Sequence, residues 1–144
     1  MEKLFVKSPV FENGKKLPLK YTCDGEGINP PLIVDGIPSE AKSLVLVIQD
    51  PDAPSGNFVH WLVWNISTIG KIDENSIPGI EGRNSSGRIH YSSPCPPSGT
   101  HRYIFKVFAL NLQLELHEGA TKKELDQSIH GHIVAKGEII GLFR

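Results

Sequence analysis

The chain has 144 residues, 39% of them hydrophobic and 22% charged, and a formal net charge of −1. That length suits one domain over residues 1–144, with a core large enough to need neither metal nor disulfide. The near-neutral balance excludes a global affinity for nucleic acid or acidic surfaces.

No apolar stretch is long enough to span a membrane, and MEKLFVKSPVFENG breaks at Pro9, Asn13 and Gly14 before a signal-peptide core forms. A cytoplasmic protein without membrane insertion is expected. TCDGEGINPPL follows, a turn-rich stretch around Cys23. SLVLVIQ (43–49) is an unbroken apolar run, as in a central strand covered on both faces. Directly after it comes DPDAPSG, where Pro51 and Pro54 hold the preceding residues out of helical geometry and so fix Asp50 and Asp52. Either aspartate alone also suits an ordinary turn that caps backbone amides.

FVHWLVWNI (58–66) is the next strand; simple alternation puts His60 with Leu62 and Trp64, opposite Trp61, Val63 and Asn65. A histidine there is as easily a core residue as a ligand. Residues 66–88 are rich in glycine and asparagine and predict a long loop or lid. SSPCPPSGTHRY (92–103) then passes from a proline-stiffened loop into a strand, HRYIFKVFAL, with His101 and Tyr103 on one face at its beginning. Gly99 allows close approach of another group. Thr121 and Glu124 form a capping box for a helix carrying Leu125 and Ile129 on one face and stopped by Gly131. HIVAKGEIIGLF (132–143) is the last strand. His130 and His132 suit cap and turn chemistry at the helix end, and His90 and His117 are assigned loop positions without a role. Long strands joined by proline-rich turns favour a β-sandwich.

Two cysteines, Cys23 and Cys95, lack metal-ligand spacing. They are either small half-buried thiols in a reducing compartment or a disulfide clamping two loops.

TCDGEGINPPL, DPDAPSG, FVHWLVWNI, PCPPSGTHRYIFKVFAL and GHIVAKGEIIGLF, in this order and spacing, resemble the landmarks of the phosphatidylethanolamine-binding proteins. That family includes the Raf kinase inhibitor protein of animals and short bacterial and archaeal members. The resemblance implies a mostly β fold, a Greek-key β-sandwich with a few short helices, and a small cavity that accepts phosphate, acetate or a phosphorylated head group. Carried over by position, it implies ligand-binding roles for Asp50, Asp52, Pro54, His60, Pro96, Pro97, His101 and Tyr103, with Arg102 structural. Two departures stand out. Ser92 and Ser93, after His90, replace glycines common in the short members and are expected to narrow or rebuild the mouth. The chain ends at Arg144, without the extra helix of the longer animal members, so a more open cavity is expected.

Two imidazoles, a phenol and backbone amides suit a small phosphorylated or carboxylate ligand. Affinity is expected to rise as pH falls through the histidine range. The same groups could form an acid-base hydrolase, but Ser98 lies in no nucleophile elbow and Cys95 has no adjacent base, so no enzyme activity is expected. No cofactor is expected. A mixed metal sphere from the two histidines and two acids lacks zinc-type spacing, so no metal is expected either. The resemblance also implies a possible kinase or serine protease partner for the stiff loops, and a homodimer is left open. Basic clusters interleaved with aromatics are absent, which argues against nucleic acid.

Overall fold

The computed structural model describes residues 1–144. In chain order, the short strands β1 (Glu2–Lys3), β2 (Phe5–Lys7) and β3 (Lys15–Lys16) precede a 3-10 turn at Leu19–Tyr21 and strand β4 (Leu32–Asp35). The long strands β5 (Ser43–Asp50) and β6 (Phe58–Ile66) follow, then the two-residue strands β7 (Lys71–Ile72) and β8 (Ile80–Glu81). The long strand β9 (His101–Leu110), helix α1 (Lys122–Ile129) and long strand β10 (Ile133–Phe143) complete the fold. All four apolar runs are thus strands.

Seven strands form one sheet in the order β1-β10-β9-β5-β6-β8, with β3 also on β10, and three form a second sheet, β2-β4-β7. Strand β9 lies between β5 and β10, antiparallel to both, pairing Ile48 with Phe105 and Tyr103 with Gly141. Alternate residues of β5 and β9 therefore face opposite ways. Leu46, Ile48, Tyr103 and Phe105 point toward the small sheet and share a core with its Val6, Leu32, Val34 and Ile72. On the other face, Val45, Val47, Leu62 and Trp64 pack under Leu114, Ala120, Leu125 and Ile129 of the 110–130 segment. Covering on both faces explains the unbroken apolar run of β5, whose Leu44 to Ile48 are all buried.

Thr121 caps α1 with the predicted capping box, and His130 stands at its C-cap. The 66–88 stretch is not a lid. It supplies strands β7 and β8 to the edges of the two sheets and buries Ile72, Glu81 and Asn84, so its polar composition reflects two short edge strands with turns between them.

Simple alternation also fails in β6. Between the pairs Ile48–Trp61 and Gln49–Val59, β5 advances one residue and β6 two, so His60 is the extra residue of a β-bulge. The bulge puts His60 on the same side as Trp61. Its ring meets Tyr103 edge-on at 5.3 Å between centroids, whereas Leu62 and Trp64 lie in the opposite core.

Candidate functional site

Three strand ends meet where β5 finishes and β6 and β9 begin. The pairing puts Asp50 opposite Phe58, and β9 starts at His101 beside the end of β5. Between these ends and the loops 53–55 and 92–97 lies a cleft of about 250 Å³. Asp50, Pro54, His60, Pro96, Pro97, His101 and Tyr103 all line it. Asp52, the remaining expected residue, does not. Its carboxylate turns to Arg102, which donates to it through Nε at 3.0 Å, Nη2 at 2.8 Å and its backbone amide at 2.9 Å. Alternate positions on the turn send the two aspartates in different directions, so Asp52 fixes the DPDAPSG turn to the start of β9. Arg102 holds the Asp52 carboxyl down at about 2 through these bonds.

Asp50 uses both of its carboxylate oxygens. Its Oδ1 accepts the Asp52 amide at 2.7 Å, the Asx-turn bond, while Oδ2 accepts from His101 Nδ1 at 2.6 Å. The His101 Nε2 faces the Ser98 carbonyl at 3.1 Å. Carboxylate and carbonyl oxygens only accept, so both bonds form together only when the imidazole carries two protons. The dyad ties β5, β9 and the PPSG loop into one wall. Gly99 has φ +72° with open space at its Cβ position, so it serves the turn before His101 and not a close approach.

His60 is held differently. Its Nδ1 donates to the Ser92 carbonyl at 2.7 Å, which leaves Nε2 as the free ring nitrogen. Burial lowers the His60 pKa below its ordinary 6.5, only partly offset by the Ser92 bond and the Asp50 charge. The ring is therefore neutral near neutral pH and its Nε2 is bare. Burial, followed by the Asp50 charge, raises the Tyr103 pKa well above the ordinary phenol value, so its hydroxyl keeps its proton. Neither His60 Nε2 nor the Tyr103 hydroxyl bonds to protein. No fully enclosed side-chain polar atom in the molecule lacks a partner, so both open into the cleft.

The sequence reading placed Ser92 and Ser93 at the mouth but missed Phe58 and Cys95 as wall residues. Ser92 and Ser93 do line the mouth, but Ser92 acts through its carbonyl, and Phe58 packs against His60 at 4.8 Å between ring centroids with the planes tilted by 56°. Cys95 also lines the cleft, and it is joined to Cys23 in a disulfide across 72 residues. The alternative of two free thiols is thereby excluded. Disulfides belong to oxidising compartments or to the interior of hyperthermophiles, and this one lends no support to the cytoplasmic expectation. No helix is long and apolar enough to cross a membrane. His90, assigned no role from sequence, donates from Nδ1 to the buried Glu81 carboxylate at 3.0 Å, and Glu81 also accepts from Trp61 Nε1 at 2.6 Å. The mixed metal sphere is not assembled: Asp52 is held by Arg102, and no three His, Cys, Asp or Glu side chains group closely enough to hold a metal. A larger hollow of about 660 Å³ lies beside β1 and β2, but no histidine, tyrosine or aspartate lines it. Chemistry, more than volume, marks the smaller cleft.

A family model described as phosphatidylethanolamine-binding protein matches residues 7–144. The chain belongs to the phosphatidylethanolamine-binding protein family. Within it, a UPF0098 protein of Pyrococcus horikoshii is 46% identical over 154 residues, covering 99% of this chain and 78% of the relative. A UPF0098 protein of Methanothermobacter thermautotrophicus is 42% identical, with 96% and 97% covered. Among solved structures, a phosphatidylethanolamine-binding protein homologue from Chlamydia trachomatis superposes with a TM-score of 0.95 at 40% identity, covering 100% of this chain and 99% of that one. Escherichia coli YbcL, described as a member of the mammalian family, gives 0.89 at 25% identity, with 99% and 98% covered.

Proposed function

We propose that the cleft binds a small anion, a phosphorylated or carboxylate group, and that the protein is a binding module and not an enzyme. The observation that carries this is the pair of unpartnered polar atoms, His60 Nε2 and the Tyr103 hydroxyl, facing one small cleft in which Asp50 and His101 are already bonded to each other. Tyr103 donates to an anion as it stands. His60 donates only once Nε2 gains a proton, and the anion supplies the counter-charge that makes that proton favourable in a buried site. Binding then takes up one proton.

Against catalysis stands the absence of an activated nucleophile beside the dyad. The His101 Nε2 faces a carbonyl, Ser98 offers that carbonyl and not its hydroxyl, and Cys95 is oxidised. The disulfide and prolines also hold the rim stiff, which suits docking of a kinase or protease loop as well as of a small ligand.

Calorimetric titration with inorganic phosphate across pH tests the reading. His60 has a depressed pKa in the free protein, so affinity should rise as pH falls through and below 6.5, with proton uptake visible as a buffer-dependent heat. A His60→Ala variant should lose both the pH dependence and most of the affinity. Phosphate binding that is independent of pH and of His60 would remove the proposal.

A further inference from the structure

The larger hollow, about 660 Å³, lies where the chain passes from the large sheet into the small one. We propose that it is a second binding site, for a small organic anion with an apolar body. Lys3 on β1 pairs in register with Lys136 on β10, and Lys136 pairs in register with Phe108 on β9. Register partners project to the same face, so two lysines and an aromatic residue occupy neighbouring positions on one face of the sheet. Two rungs further along, on the same face, Lys106 pairs in register with Glu138. Neither Lys3, Lys106 nor Lys136 has a carboxylate within the 4.0 Å of an ion pair; Lys7, at the far end, is paired with Asp35 at 3.1 Å. Four lysines against two glutamates line the hollow of a molecule whose net charge is −1.

Like charges placed opposite each other destabilise a sheet, and the natural relief is a counter-ion. The hollow offers that counter-ion an apolar seat. Phe5, 51% exposed, carries the Lys3 ammonium over its ring at 5.6 Å, and half-buried Phe108, packed against the core under α1, also lines the hollow. A carboxylate, sulfonate or phosphate would sit between Lys3 and Lys136, and its hydrocarbon or ring body would lie against Phe5 and Phe108. The volume is of the size that holds small molecules, roughly 300–1,000 Å³. Nothing in this site involves His60 or Tyr103, so it stands or falls apart from the cleft.

The test is a fluorescence titration of the folded, full-length protein with anilinonaphthalene sulfonate, which joins one anionic group to fused apolar rings, backed by amide NMR shifts. One saturable site is expected, with shifts centred on Lys3, Phe108 and Lys136. Lys136→Glu should weaken binding by at least about fivefold. Lys3→Glu should do the same and also raise the thermal midpoint, since the new carboxylate neutralises Lys136. That double readout separates a filled charge site from a damaged one. Lys71→Glu, a distant exposed lysine, and His60→Ala should leave dye affinity unchanged, and inorganic phosphate should not displace the dye. Absence of saturable binding, equal loss in Lys71→Glu, loss in His60→Ala, or binding of acidic peptides alone would each overturn the site.

Discussion

At the scale of single residues, Tyr103 supplies the most direct probe of the cleft. Its ring is buried in the core between the two sheets, so the Tyr103→Phe change deletes one hydroxyl and leaves the packing in place. A hydrogen bond to a charged group is worth about 1.5–3 kcal/mol, so phosphate affinity should fall roughly tenfold to a hundredfold with an unchanged unfolding midpoint. An unchanged affinity would mean that the hydroxyl does not meet the anion. Which residues reach the cleft was legible where a strand end coincides with a rigid turn: Asp50, His101 and Tyr103 follow from the period of two and the prolines around them. Asp52 was misplaced for a physical reason. Its guanidinium partner lies 50 residues away on β9, and no local pattern announces a bidentate pair across strands. Glu81 escaped for a similar reason, since a lone acid in a glycine-rich stretch gives no sign that Trp61 and His90 will both turn toward it.

At the scale of elements, patterns with a regular period were readable and interruptions of it were not. The helix was legible because its capping box is a local, sequential device. Thr121 Oγ1 accepts the Glu124 amide at 3.2 Å, and Glu124 Oε1 accepts the Thr121 amide at 3.0 Å. Thr121→Ala should therefore destabilise the protein by about 1 kcal/mol in urea unfolding, and should leave phosphate affinity untouched because α1 lies under the face opposite the cleft. A loss of phosphate affinity would show that α1 and the cleft are coupled. The bulge at His60 is the contrary case. Insertion of one residue into a ladder follows from how β5 and β6 pair, not from either strand alone, so alternation put the key histidine on the wrong face. The consequence is functional. Without the extra residue, His60 would lie under α1 among Leu62 and Trp64, and the cleft would hold Tyr103 with no second donor.

Across the whole molecule, the cleft depends on a covalent tie. Cys23 follows the 3-10 turn, Cys95 sits between Pro94 and Pro96, and the Cys23 amide also donates to the Pro94 carbonyl at 3.1 Å. The disulfide therefore joins the TCDGEG turn to the proline loop that forms one wall of the site. Closing 72 residues restricts the unfolded chain, and the chain-entropy relation puts the effect at about 4 kcal/mol. A Cys23→Ser, Cys95→Ser double variant should accordingly unfold at distinctly lower urea, and so should the native protein in excess dithiothreitol. Two readouts separate a global clamp from a local one. If the bond acts only on the unfolded state, phosphate affinity of the folded variant will match that of the native protein. If the bond also positions Pro96 and Pro97, affinity will fall under conditions where circular dichroism shows the sheet intact. The second outcome is expected, because Cys95 itself faces the cleft and the Ser98 carbonyl that braces His101 lies three residues further along the same loop. An unaltered urea midpoint on reduction would show that the hydrophobic core alone stabilises the fold, and that the tie is dispensable.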